Sequence, residues 1–380
     1  MPFDPETATF LIAGPVRIHP RVLRAMSMPS LNHRGDYFHG VVAEIRELLP
    51  VMFGAKGTQL LLTGSGTAGL EATYSSLLRP EERTVVVSNG NFGERSDKIA
   101  RRYSGKVTTL TSPWGQHFDV EAVKAELEKG DVRALVAVHN ETSVGLANDL
   151  AQIAPAVRRS GALFLVDGIS AVAGIPCPIS EWGVDAVVAG SQKGLAAPAG
   201  IAMVHLSERA VRELRSGTFY LDLNEHVKNI AKNDTPWTPA VPLFLALREA
   251  LLILKEEGLE GRLKRTHELA EATRAAAAAL ELELFPDPKH ASDTVTALRN
   301  PVGLEEAQVR KVLQNTYNVL VQGGQGALTG KVFRIGHMGI ASYADLLVTF
   351  AGLERILAKA GRLPRPGAGL GAIAERMPPA

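Results

Sequence analysis

The chain has 380 residues, 46% of them hydrophobic and 21% charged, with 41 basic against 40 acidic side chains and a formal net charge of +1. Such a chain has room for one large core and a smaller one, and it lacks the basic excess that phosphate backbones attract, so a nucleic-acid partner is not expected. The single cysteine, Cys177, excludes an intramolecular disulfide and a cysteine-rich metal site; no run approaches about 18 apolar residues, and "MPFDPETATF" is no signal peptide, so the expectation is a cytoplasmic chain without a membrane partner.

Pro2, Pro5, Pro15 and Pro20 mark an extended entry over residues 1–19. Short apolar runs then alternate with longer periodic ones, which is the order of an α/β fold. Strand candidates are Gln59–Thr63, Thr84–Ser88, Lys106–Leu110, Ala134–His139, Leu163–Asp167, Ala186–Ala189 and Ala202–Leu206. Seven such runs predict one wide, mainly parallel sheet in a large domain over residues 20–257. From Val241 a long helical pattern follows, with a bend expected at Gly258 and Gly261. Residues 258–365 read as a smaller α/β domain, and the Gly-, Pro- and Ala-rich tail 366–380 as loosely held.

The strongest local signal is "VDAVVAGSQKGLAAPAGIAMV", which places Lys193 just past an apolar strand at the mouth of the sheet. Burial among apolar neighbours lowers an amine's proton affinity, as Schiff-base chemistry requires, although a surface-loop lysine would show the same local pattern. In "GALFLVDGISAVAGI", Asp167 closes an almost wholly apolar strand; it reads as a helix-capping acid or as a carboxylate that holds a heterocyclic nitrogen protonated. "LLTGSGTAGLEA" carries Gly64, Gly66 and Gly69 at dinucleotide-site spacing. The acid expected at the end of the next strand is missing from "TVVVSNG", so the stretch reads as a cradle for a single phosphate at a helix start, with Gly66 and Thr67 holding it. Arg334, a lone arginine in an apolar strand, suits either a structural salt bridge or two-pronged binding of a carboxylate.

The segments "SGTAGLEA", "HNETSVG", "FLVDGIS", "GSQKGLAAPAG" and "FRIGHMG", in this order, resemble the class V aminotransferases of fold type I, and most nearly the alanine–glyoxylate and serine–pyruvate type. The resemblance runs from "AGPVRIHPRVL" to the last helix and leaves out the tail. It implies a pyridoxal 5'-phosphate enzyme with a mainly parallel seven-stranded large domain and a smaller C-terminal α/β domain. The implied activity is ping-pong transfer of an amino group from alanine or serine to glyoxylate or pyruvate through a Lys193 aldimine. Asp167 would hold the pyridine nitrogen, Phe92 would stack on the ring where relatives often have tryptophan, and Thr142 would contact the ring. Gln192 would reach the phosphate, as would Thr238 from the neighbouring subunit of a homodimer. Arg334 would bind the substrate carboxylate, and the Gly14 backbone would lie beside the substrate.

The cluster His33, Arg34, Asp36, Tyr37 and His39 fits no closed zinc pattern; the resemblance implies a gate or dimer contact, since in relatives this region lies near the substrate entrance, and His337 reads as a structural histidine. Alternatives are a lyase, a cysteine desulfurase for which Cys177 is badly placed, an aspartate or aminophosphonate aminotransferase, a dehydrogenase, and a non-catalytic subunit of the same fold.

Overall fold

All seven apolar runs fold as strands of one sheet in the computed structural model, which describes residues 3–378; residues 1, 2, 379 and 380, the outer ends of the entry segment and the tail, lie outside it. After β1 (Thr9–Leu11) come β2 (Thr58–Thr63), β3 (Arg83–Ser88), β4 (Lys106–Thr111), β5 (Val132–Val138) and a short hairpin, β6 (Asn140–Glu141) and β7 (Leu146–Ala147). Then follow β8 (Leu163–Asp167), β9 (Ala186–Gly190) and β10 (Ile201–Leu206), with β11 (Val295–Arg299), β12 (Val319–Gly323) and β13 (Val332–Gly336) nearer the C-terminus. The large sheet has the order β2-β10-β9-β8-β5-β3-β4.

Strand β10 is antiparallel to both neighbours and every other pair is parallel. The two reversals cancel, so β2 runs with β9. The C-terminal ends of β2, β3, β5, β8 and β9 therefore open on one edge, where open α/β sheets bind ligands. The central strands are apolar because neither face meets water: all five residues of β8 are buried, and Asp167, its last residue, is its only charge.

The Gly66–Leu77 helix lies so close to this sheet that a Cβ on Gly69 would come 2.7 Å from Val188 Cγ1. Its glycines thus serve close helix–sheet packing. The long helical pattern breaks once, at Gly258, where φ is +77°; helices Val241–Glu257 and Leu259–Ala279 meet there, and Gly261 lies inside the second.

A four-stranded sheet, β1-β12-β13-β11, carries the second core, which includes Leu269, Leu298, Phe333 and Phe350. The extended entry joins it, since β1 pairs in parallel with β12. The tail departs from the loosely held reading. It forms a helix, Ala368–Ala374, with Ile373 fully buried, and the Glu354 carboxylate accepts the N–H groups of Gly367, Gly369 and Leu370 at its start. Small residues that looked like a linker serve here to bring this helix against Leu280.

Candidate active site

A cavity of about 190 Å³ opens at the C-terminal edge of the large sheet. Its wall includes Gly14, Gly66, Thr67, Phe92, Thr142, Asp167, Gln192 and Lys193. Each of the last seven stands where a strand has just ended. Thr67 is in the first turn of the helix after β2, Phe92 in that after β3, Thr142 beyond β5, Asp167 at the end of β8, and Gln192 and Lys193 beyond β9.

Lys193 Nζ donates to the carbonyl of Ala13 at 2.5 Å. Burial pushes its ammonium down to about 8, the positive charge of Arg334 pushes the same way, and Asp167 opposes them. Gly14 borders the amine so closely that a Cβ would lie 2.5 Å from Nζ. Asp167 is buried with both oxygens held: Oδ1 accepts the N–H of Ile169 at 3.0 Å and Oδ2 accepts Arg95 Nη2 at 2.8 Å. The capping alternative is partly realised, because Oδ1 closes a local turn, while Oδ2 is paired with Arg95, which also lines the cavity.

Phe92 is held through its backbone. The fully buried Glu141 accepts the N–H groups of Phe92 at 3.0 Å and Gly93 at 2.9 Å, and the hydroxyl of Ser143 at 2.5 Å. A carboxylate there faces the positive end of the Asn91–Tyr103 helix. Burial nonetheless raises its proton affinity above the usual carboxylate range.

Arg334, on β13 opposite Gln322 and Ala297, is 1% exposed. Nε and Nη2 donate to Gly323 O at 3.0 and 2.7 Å, and Nη1 donates to Thr142 O at 2.8 Å. Among the described residues no carboxylate forms a salt bridge with it. Burial lowers its pKa to about 10, with Glu141 and Glu306 opposing. Arg334 is not among the residues lining the cavity; a guanidinium has five N–H groups, so these three bonds leave one on each terminal nitrogen.

Thr238 is not in this cavity. It lines a separate recess with Thr63, Tyr220 and Trp237, beside Phe219, which is 79% exposed and whose ring centre lies 4.7 Å from that of Trp237 in a tilted arrangement. In the His33–His39 cluster, Arg34 donates to Asp234 Oδ1 and Thr235 O at 2.6 Å each, tying the cluster to the segment that leads to Thr238. His337 is buried between Asp293 O at 2.9 Å and Thr296 Oγ1 at 3.3 Å, and burial pushes it down to about 4, the behaviour of a structural histidine.

Ser65, Arg95, Asn140, Ile169 and Ser170 are also on the cavity wall, none of them marked as a site residue by the sequence motifs. Arg95 was findable, because it stands three residues after Phe92 on one helix face. Asn140 was not: its amide donates to Ser170 Oγ at 3.0 Å and Thr294 Oγ1 at 2.7 Å, and the latter lies 154 residues away.

The fold and cavity define an α/β enzyme with its functional edge at the ends of parallel strands. The chain belongs to the aminotransferase class-V family, whose model matches residues 21–342. An uncharacterised aminotransferase of Methanocaldococcus jannaschii is 39% identical over 95% of each chain. The serine–glyoxylate aminotransferase of Methylorubrum extorquens is 35% identical, over 96% of this chain and 94% of its own. Among solved structures, ureidoglycine–glyoxylate aminotransferase from Bacillus subtilis superposes with a TM-score of 0.92 at 32% identity, covering 97% of both chains.

Proposed function

We propose that this protein is a pyridoxal 5'-phosphate-dependent transaminase that moves the amino group of a small amino acid, alanine or serine, to a small 2-oxo acid, glyoxylate or pyruvate, in two half-reactions. The carrying observation is the meeting of the Lys193 amine, held near 8, with Asp167 and Phe92 in one cavity of a class-V chain. The cavity suits the cofactor: Gln192 Oε1 and Arg95 Nε are buried there without partners among the described residues, and Gly66 has no side chain at a helix start that favours an anion. The two characterised relatives above, both named for glyoxylate, support the acceptor.

When bound, pyridoxal phosphate supplies a ring that draws off the negative charge left as the substrate's α-proton departs. Asp167 would hold the ring nitrogen protonated and Phe92 would cover one ring face. Thr142 would contact the ring, while Gly66, Thr67 and Gln192 bind the phosphate. Lys193 would hold the cofactor covalently at rest and then move the proton from the substrate's α-carbon. Arg334 would orient the carboxylate so that the α C–H bond stands across the ring plane; its 1% exposure means that its neighbours must shift to admit substrate. Gly14 leaves backbone room beside the amine. Thr238 would complete the phosphate site of a partner subunit, a reading supported by the exposed Phe219 beside it.

The test is a screen of half-reactions, with loss of the bound cofactor's visible absorbance followed for alanine, serine, aspartate and an aminophosphonate as donors. Alanine or serine should react fastest, with glyoxylate or pyruvate restoring the signal. Protein that takes up no pyridoxal phosphate, or Lys193→Ala with normal turnover, would overturn the proposal.

A further inference from the structure

Arg95 touches three side chains of the candidate site at once. It stands three residues after Phe92 on the Asn91–Tyr103 helix, so both side chains leave the same face. Its Nη2 lies 2.8 Å from Asp167 Oδ2, its Nη1 lies 3.2 Å from Thr67 Oγ1, and its Cζ sits 4.7 Å from the centre of the Phe92 ring. The Arg95 side chain is 27% exposed against 4% for Asp167, so the pair straddles the boundary between cavity and interior.

Donor and acceptor rules make these contacts directional. A guanidinium can only donate, so at this contact Thr67 must accept, and its own O–H proton has to point elsewhere. At the start of the Gly66–Leu77 helix, that direction is available to an anion which also meets the free backbone N–H groups. Asp167 is constrained in the same way. With Oδ1 on the Ile169 N–H and Oδ2 on Arg95, the carboxylate cannot turn about its own axis without losing a bond.

We infer that Arg95 is a positioning residue for pyridoxal phosphate, setting the Asp167 carboxylate for the ring nitrogen and the Thr67 hydroxyl for the phosphate. The inference rests on the cofactor reading above. In pyridoxal phosphate the ring nitrogen and the carbon bearing the phosphate arm are separated by one C–H carbon, so the protein groups for these two points must be neighbours. Arg95 bridges the two residues that the cofactor reading assigns to them. The flat cation with two terminal nitrogens suits this bridge: lysine would bring the charge on a single nitrogen, and glutamine a single donor nitrogen without the charge.

The experiment is a titration of apoprotein with pyridoxal phosphate, followed by quenching of intrinsic fluorescence, in wild type, Arg95→Gln and Arg95→Lys. The two Arg95 changes are also made in Asp167→Asn and Thr67→Ala backgrounds. Arg95→Gln should weaken binding by about 10- to 100-fold, the range of a lost charge-assisted bond, and Arg95→Lys should recover part of it. Because Arg95 acts through its partners, the Arg95→Gln effect should shrink by about threefold or more in at least one of the two backgrounds. A general loss of folding would not be cancelled by removing Asp167 or Thr67. Wild-type binding with unchanged affinity in Arg95→Gln overturns this inference alone, as does an Arg95→Gln effect of the same size in both backgrounds. Wild-type apoprotein that takes up no pyridoxal phosphate overturns the cofactor reading, and this inference with it.

Discussion

The amine of Lys193 donates to the backbone carbonyl of Ala13, 180 residues earlier, at 2.5 Å. The N–H of the same Ala13 donates to Gln322 Oε1 at 3.3 Å, and Gln322 is the register partner of Arg334. One residue of the entry segment thus joins the candidate catalytic lysine in the large unit to the strand pair carrying the candidate carboxylate anchor in the small one. Small shifts of that segment therefore reach both groups.

Lys193 should set a pH dependence. Its ammonium gives up a proton at about 8 instead of near 10.5, chiefly through burial, and only the neutral amine attacks a carbonyl carbon. Covalent attachment of added pyridoxal phosphate to apoprotein should speed up by about tenfold per pH unit below 8 and level off above it. Between 8 and 10.5 the unfolded chain keeps this proton while the folded chain has lost it, so folded apoprotein gains stability as pH rises through that window. Urea unfolding of wild type and Lys193→Met at two pH values checks the sign, because the variant should lose that part of the slope.

Gly14→Ala is expected to disable the site from a distance in sequence. Gly14 has φ of +117° and a Cβ there would meet Lys193 Nζ at 2.5 Å. The strain amounts to about 1–3 kcal/mol, and displacing a reactive group by about 1 Å costs on the order of a hundredfold in rate. Single-turnover kinetics should show this fall while far-ultraviolet circular dichroism stays that of wild type.

Arg334→Lys keeps a charge but cannot offer two parallel N–H groups while also serving Gly323 O and Thr142 O. KM for alanine or serine should rise about 10- to 100-fold. A primary amine without a carboxylate, compared in the same half-reaction, should react with the variant and wild type at similar rates. Equal losses for both substrates would count against a carboxylate anchor.

Glu141→Ala leaves the N–H groups of Phe92 and Gly93 buried without an acceptor. The expected cost is about 2–4 kcal/mol of stability, read as a lower urea midpoint. Glu141→Gln retains one carbonyl oxygen for those donors and should cost less than half as much. Its burial already disfavours the charge that it removes.

Short apolar runs located all seven strands of the large sheet; the central ones are apolar along their whole length because both faces are covered, whereas the edge strand β4 is only partly buried. The same logic singled out Asp167 and Lys193, polar groups at the ends of such runs, where leaving them without a purpose is costly. Local composition failed at the tail, where Gly and Ala were read as looseness and in fact permit the close approach of Ala368–Ala374 to Leu280.

What the sequence by itself determined, then, is the succession of elements and the identity of the chemically exposed strand ends, since both follow from interactions within a few residues. Only the tertiary structure decided which of those ends meet. Strand order brought Thr67, Phe92, Asp167 and Lys193 to one cavity and left Thr238 in another. It also recruited Arg95 to Asp167 across 72 positions and Ala13 to Lys193 across 180. The first joins a helix side chain to a strand end distant in sequence and the second uses a backbone carbonyl, which any residue carries, so no local side-chain pattern marks either.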